Sequence, residues 1–408
     1  MEKGSGAIRP AVPAPLARQE QYVNSPRFAA SLQTVEDTSA AIREACRAAQ
    51  TTLDAEAHLA VVFFSPHHLA QAQHIADTIV QETGCQAILG CNGEAVLGDS
   101  REIEEEPAIS LWLGHLPGTQ LHPFHLRYQR SGDGGRMEGW PDDLPEAWPQ
   151  GSMLLTVADP YSFPADLLLH RLNQDQPRSV VMGGMASGVA GPGAGRLLVG
   201  NQVVQAGASA VLIHGDTPVR TVVSQGCRPI GQPFVVTKSE RNIIFEMGGK
   251  PALRRLQEVY HALSPEDQKA ARGGLHLGRV VNEYQERFDR GDFLIRNVLG
   301  GDEETGAIAI GDYVRVGQTV QFHIRDEATA DNDLKELLAE AGKAQGALLF
   351  TCNGRGSRMF SSPNHDAQAV QDALGPIPLA GFFAQGELGP IAKKNFVHGF
   401  TASLALFG

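Results

Sequence analysis

Leu59-Ala-Val-Val-Phe-Phe-Ser-Pro66 leads through a helix-like segment to Ile88-Leu-Gly-Cys-Asn-Gly-Glu94. Met153-Leu-Leu-Thr-Val-Ala-Asp-Pro160 leads in the same way to Val180-Val-Met-Gly-Gly-Met-Ala-Ser-Gly188. Ala347-Leu-Leu-Phe-Thr-Cys-Asn-Gly-Arg-Gly356 leads to Pro378-Leu-Ala-Gly-Phe-Phe-Ala-Gln-Gly-Glu387. Each stretch is an apolar run, a helical pattern, a second apolar run and a glycine-rich turn. Recurrence of one plan points to duplication of a supersecondary unit. After each turn the pattern becomes strand-like, as in Leu197-Leu-Val-Gly-Asn-Gln-Val-Val204 and Thr401-Ala-Ser-Leu-Ala-Leu-Phe407. The connections there are too short for helical crossovers, so these strands are read as antiparallel hairpins. The expected fold is α/β, mixed α+β in character, with repeated β-α-β plus hairpin units and mixed sheets flanked by helices.

Outward from the repeats, Asn201 and Asn395 stand at equal distances before Gly207-Ala-Ser and Thr401-Ala-Ser, which strengthens the duplication. A degraded fourth copy is expected between Pro251 and Asp326. Two units per domain put a boundary at Gly248-Gly249-Lys250-Pro251, a linker-like composition. The expected division is a flexible arm over 1–25, a first domain over 26–250 and a second over 251–408. Ala29 to Thr52 reads as one amphipathic helix, and Tyr128 to Pro149 as a polar loop between the first two units.

The chain has 408 residues, long enough for more than one core. Its formal net charge of −12 disfavours a nonspecific nucleic-acid or anionic-membrane surface. No apolar run is long enough to span a bilayer, and Met1-Glu-Lys-Gly-Ser-Gly6 lacks a signal-peptide core, so a cytoplasmic protein is expected. The five cysteines, Cys46, Cys85, Cys91, Cys227 and Cys352, form no CxxC pair. They are read as reduced thiols, mostly buried.

Chemistry is sought at the turns. Gly90-Cys91-Asn92-Gly93-Glu94 ends a strand, where outward amide N–H groups can form an anion nest; the plainer reading is a tight polar turn. Cys352-Asn353-Gly354-Arg355-Gly356 is the stronger candidate: Arg355 can clamp a carboxylate or phosphate and lower the pKa of Cys352. The plainer reading is a buried thiol and a structural salt bridge. Gly381-Phe382-Phe383, with Gly386 and Glu387, is expected beside it, the phenylalanines walling a pocket or simply packing the core, and Glu387 pairing with Arg355. A nucleophilic Cys352 would also need a positioned base, so no enzyme is expected. The histidines form no recognised metal cluster, and no metal or other cofactor is expected from the residues. The acidic run Glu102 to Glu106 is read as a solvated loop.

At these residues the chain resembles the FIST family, the F-box and intracellular signal transduction proteins. The first half is similar to a FIST N domain at Ala60-Val-Val-Phe-Phe64, Gly90 to Glu94 and Gly183 to Gly188. The second is similar to a FIST C domain at Arg315 to Asp326, Cys352 to Gly356 and Gly381 to Pro390. The resemblance covers residues 26 to 408. It implies a non-enzymatic sensory module that binds a small molecule, such as an amino acid or another small acid, and signals to a partner protein. Arg355 would then be the anion clamp, Phe382 and Phe383 the walls, and Asn92, Asn353 and Glu387 the polar readers. The alternatives are a haem-binding gas or redox sensor, as in one bacterial subgroup, and an interaction adaptor without a small ligand.

Overall fold

The computed structural model describes residues 25–132, 134–285 and 287–408. The arm expected over residues 1–25 lies, Ser25 apart, outside the described residues. In every repeat the two apolar runs are adjacent parallel strands: Leu59–Phe64 with Ala87–Asn92, Met153–Ala158 with Val180–Met185, and Gly346–Cys352 with Leu379–Ala384. Their crossover helices are Ala72–Thr83, Ala165–Asp175 and His365–Leu374. A later strand of each repeat returns antiparallel beside the first of its pair: Ile109–His115, Ala208–Gly215 and Ala402–Phe407. Outside it lies one more strand, Arg27–Gln33, Thr119–Ser131 or Val219–Ser224.

The hairpin that follows each glycine-rich turn leaves its own sheet. Val96–Gly98 and Arg101–Ile103 of the first repeat add to Leu379–Ala384 of the third. Glu387–Ile391 and Lys394–His398 of the third add to Val180–Met185 of the second. Leu197–Val199 and Gln202–Val204 of the second add to Ala87–Asn92 of the first. The exchange is cyclic, so each sheet is completed by another repeat.

Period-two alternation explains why three sheets are held together. Leu59, Val61 and Phe63 point into a central core, where they meet Met153, Leu155 and Val157 and then Leu348 and Phe350. The intervening residues face separate outer layers: Ala60, Val62 and Phe64 in one, Leu154 and Ala158 in another, Ala347 and Leu349 in the third. Parallel strands buried on both faces need such uninterrupted apolar runs.

One glycine recurs at the same register position in the three parallel pairs: Gly90 opposite Val62, Gly183 opposite Thr156, and Gly381 opposite Leu349. A Cβ there would come within 2.3, 1.7 and 1.9 Å of the facing carbonyl oxygen. Close backbone approach explains these glycines.

The region expected to hold a fourth copy instead supplies four strands of a six-stranded barrel. Strands Arg228–Glu240, Thr319–Ile324, Leu275–Val280, Phe293–Asp302, Ala307–Ile310 and Ile243–Met247 follow one another around it, and pairing of the first with the last closes the ring. All its pairings are antiparallel. Ile230, Phe234, Val236, Leu277, Ile308 and Phe322 fill it, and among the described residues no strand–helix–strand unit with parallel strands occurs there. The barrel interrupts the third repeat, between edge strand Val219–Ser224 and helix Glu327–Ala341. Three of the four sheets pair strands from both sides of residue 250.

Two smaller expectations change. Residues 27–33 are a strand rather than the start of a helix; the helix runs Thr38–Leu53 and is capped by Asp37, which accepts from the Ala40 N–H. Tertiary packing makes this segment a strand: Phe28 stacks on Trp112 of the neighbouring strand with ring centroids 5.0 Å apart. The loop expected over Tyr128 to Pro149 begins with a hairpin, in which Thr119–Ser131 pairs with Gly134–Glu138.

Gly381→Ala forces a methyl into the Leu349 carbonyl. We expect it to lower unfolding free energy by at least ~1–3 kcal/mol in denaturant titration, with Gly90→Ala behaving alike. A neutral result at both positions would remove the close-approach explanation.

Candidate functional site

The glycine-rich turns do meet, and they meet through backbone. The Ser187 hydroxyl donates to the Phe383 carbonyl and accepts from the Glu94 N–H. Asn92 Nδ2 donates to the Ser187 carbonyl at 2.6 Å, and Asn92 Oδ1 accepts from the Arg196 N–H at 2.7 Å. A Cβ on Gly93 would lie 2.9 Å from Phe382, and one on Gly184 2.7 Å from Ala384. Gly90, Cys91, Asn92 and Gly93 are buried, as are Gly381, Phe382 and Phe383. Phe382 belongs to the central core and Phe383 to the layer around helix His365–Leu374. At the edge of this junction Asn353 Nδ2 donates to Glu94 at 3.2 Å, and Arg358 bonds both Glu94 and the Asn353 carbonyl. Gly386 is half-buried.

Arg355 is completely buried and spends its charge internally. Its Nε and Nη2 donate to the two carboxylate oxygens of Asp366, each at 2.7 Å. Asp366 also accepts from Thr351 and binds His365 Nδ1 at 2.9 Å. Burial disfavours the Asp366 carboxylate, but Arg355, His365 and Thr351 outweigh it and hold its pKa well below the usual range. Phe360 lies under the guanidinium at 5.0 Å and stacks on His365. The expected Arg355–Glu387 ion pair does not form: Glu387 accepts from the Thr401 N–H at 3.0 Å, and its other oxygen has no partner. Burial pushes Glu387 up to about 8. Burial and Glu387 push the Cys352 thiol up to about 12, opposite to the lowering expected from Arg355. At neutral pH that group is a thiol.

The open space lies next to this cluster, in a cleft of about 1040 Å³ between the barrel and the third repeat. Of the residues singled out in the sequence, only Gly354 lines it. Its walls are instead His276, Arg325, Asp326, Asp331, His365 and Phe400, with Arg228, Lys335 and Arg358 around them. Three of these cations have carboxylate partners: Arg228 has Asp267, Lys335 has Asp331, and Arg358 has Glu94. Arg325 has none among the described residues. It is 8% exposed. Its Nη1 meets His276 Nε2 at 2.7 Å, its Nη2 donates to the Gln225 carbonyl at 3.1 Å, and its Nε has no partner. Its guanidinium lies 4.6 Å from the Phe400 ring centroid. Its neighbours are uncharged: burial and Arg325 itself push His276 down to about 3, and burial pushes the Cys227 thiol up to about 11. Since His276 Nδ1 meets the Gly274 carbonyl at 2.9 Å, that nitrogen carries the proton and Nε2 accepts from Arg325. A buried cation surrounded by neutral groups favours an anion.

The Arg355 cluster shapes one wall. His365, fixed on one side by Asp366, meets Asp331 at 2.9 Å through Nε2. Burial opposes its protonation, but the two carboxylates prevail and raise its pKa. Both ring nitrogens of His276 and of His365 are engaged, so neither histidine of this cleft fits as an axial haem ligand. Arg325, His365, Asp366 and Asp331 were not singled out as site residues from sequence. Arg325 stood at the end of a strand pattern without a glycine turn, and Asp366 is eleven residues from the arginine it neutralises. The run Glu102 to Glu106 is not simply solvated: Glu102 is buried and accepts from the Ala367 N–H at 2.9 Å, and Glu104 accepts from Ser357.

Family comparison agrees with these motifs. The FIST N domain matches residues 58–250 and the FIST C domain residues 252–390. An uncharacterized protein of Mycobacterium tuberculosis strain H37Rv is 42% identical over 387 residues, covering 93% of this chain and 99% of its own length. An uncharacterized protein of Mycobacterium bovis is also 42% identical, over 98% of its length. The chain belongs to the FIST family.

Two outcomes test the buried charges. Arg355→Met strands Asp366, and a loss of about 3–5 kcal/mol in unfolding free energy is expected. Glu387 keeps in the folded chain a proton that its ordinary pKa of 4.5 would release. Stability therefore falls as pH rises from about 4.5 through about 8. Glu387→Gln should flatten that fall in urea titrations between about pH 6 and pH 9; an unchanged slope contradicts the assignment.

Proposed function

We propose that this FIST-family chain is a sensory module whose cleft between the barrel and the third repeat binds a free amino acid and relays its presence to a protein partner. The observation that carries the reading is Arg325, a buried guanidinium without a carboxylate in the wall of an open cleft. An α-carboxylate supplies the missing counter-charge through charge-assisted hydrogen bonds. The same cleft has the carboxylates of Asp326, Glu327 and Asp331, which suit an α-ammonium group. Phe400, already against Arg325, offers an apolar surface to the side chain. Both signs of charge in one cleft favour a zwitterion over a simple acid.

Family membership supports the sensory role, and the position of the cleft supports the relay. Its walls come from the inserted barrel and from the third repeat, so a ligand that bridges them favours one relative placement of the two. Among the described residues no helix is long and apolar enough to cross a membrane. The net charge of −12 favours a protein partner over nucleic acid.

Isothermal titration with the proteinogenic L-amino acids should yield at least one ligand. Arg325→Met should weaken it by ~30-fold or more, as truncating one partner of a buried charge pair does. Asp331→Asn should reduce binding of the amino acid more than binding of its deaminated acid. Absence of binding by every amino acid, or unchanged affinity in Arg325→Met, overturns the reading.

A further inference from the structure

A second cleft of about 870 Å³ lies on the other side of Arg325 and His276, which line both. It is bounded by helix Ala165–Asp175 of the second repeat, by the barrel strands Leu275–Val280 and Phe293–Asp302, and by Lys394–His398 of the exchanged hairpin. Its volume is that of a small-molecule site.

Its charge is one-sided. Arg241, Arg279, Arg296 and Arg325 line it, against only Asp166 and Asp312. A single carboxylate oxygen, Asp312 Oδ2, takes both Arg279 Nη2 and Arg296 Nε, each at 3.2 Å. Both contacts are longer than a good charge-assisted hydrogen bond. Donor capacity is also left over. Arg279 Nε and Arg325 Nε are buried without partners. Arg325 is 8% exposed. Buried polar atoms in native proteins are seldom left unpaired, and such a concentration in the wall of one cleft points to a missing acceptor. The rim is different: Leu167, Leu299 and Tyr313 are 51%, 62% and 71% exposed and line the same cleft. An arginine-rich floor under an apolar, aromatic lip suits a compact dianion attached to an apolar body.

We propose that this second cleft binds a small phosphomonoester whose organic group rests against Leu167, Leu299 and Tyr313. The phosphate brings negative charge to a wall where Arg241, Arg279 and Arg296 outnumber Asp166 and Asp312 even without Arg325, which the first cleft shares. Its oxygens accept from Arg279 and Arg325, and Arg241 at the rim adds long-range attraction. The site stands apart from the amino-acid cleft, since only Arg325 and His276 are shared.

Phenyl phosphate and inorganic phosphate are the probes, measured by isothermal titration on the full chain at low salt. Phenyl phosphate should bind more tightly than inorganic phosphate. Arg241 is exposed and sits at φ 54°, so Arg241→Gly removes a charge without stranding a buried group. It should weaken both probes by at least ~3-fold. Tyr313→Ala should abolish the preference for phenyl phosphate, and Asp331→Asn, confined to the first cleft, should leave both affinities unchanged. No binding of phenyl phosphate overturns the proposal. So does full affinity in Arg241→Gly and Tyr313→Ala, both surface changes. Tighter phosphate binding in Asp331→Asn, where a repelling carboxylate has been removed, assigns the anion to the first cleft and overturns the proposal as well.

Discussion

A sheet with two apolar faces needs two covers. In each repeat the crossover helix supplies one, and the sheets of the other repeats supply the second. The residues of Leu59–Phe64, Met153–Ala158 and Gly346–Cys352 that point away from their helices therefore share one central core. Hydrophobic burial has no direction of its own, so the arrangement is held in register by the cyclic exchange of hairpins. Each hairpin satisfies backbone groups along a strand of another repeat, and no repeat can close its sheet alone. The junction of glycine-rich turns around Ser187 follows from this: the turns lie where the chain leaves one sheet for the next, and their glycines allow the backbones to touch.

The same packing sorts the charges. At the end of the third repeat, Arg355 and Asp366 are forced into the interior together, and there they neutralise one another with good geometry and further hydrogen bonds from Thr351 and His365. Arg325 enters from the barrel side, where its neighbours are a neutral histidine, backbone carbonyls and a thiol. The two arginines resemble each other in burial and differ in counter-charge. That difference, rather than the presence of an arginine between glycines, separates a structural ion pair from a group able to receive an anion. The barrel creates the difference, since its insertion opens a cleft on each side of Arg325 and brings His276 against it.

Much of the scaffold was legible along the chain. Apolar runs bounded by turn residues identified the parallel strand pairs, and the short connections after them identified the hairpins. The reading went astray where the deciding contact is distant. Phe28-Ala-Ala-Ser-Leu-Gln33 has helix-compatible composition and becomes a strand because Ile109–His115 offers it an edge. The segment between Pro251 and Asp326 alternates helix and strand patterns like the repeats, yet its strands join Arg228–Glu240 and Ile243–Met247 in a barrel that the pairing of those two strands closes. Arg355 stands out in the sequence because it sits between two glycines. Those glycines serve close packing: a Cβ on Gly354 would strike Phe400, and one on Gly356 would strike Phe383.

By itself, then, the sequence determined the local units: which segments are buried strands, which are helices, and where the backbone must turn or approach closely. Periodicity and glycine placement act over a few residues, so they are written in the chain. Tertiary structure decided which sheet each hairpin completes, which carboxylate neutralises Arg355, and that Arg325 is left with its charge uncompensated between two clefts. Those outcomes depend on pairings between residues from eleven to hundreds of positions apart. Such pairings are chosen by the packing of whole layers, and no single stretch carries the information.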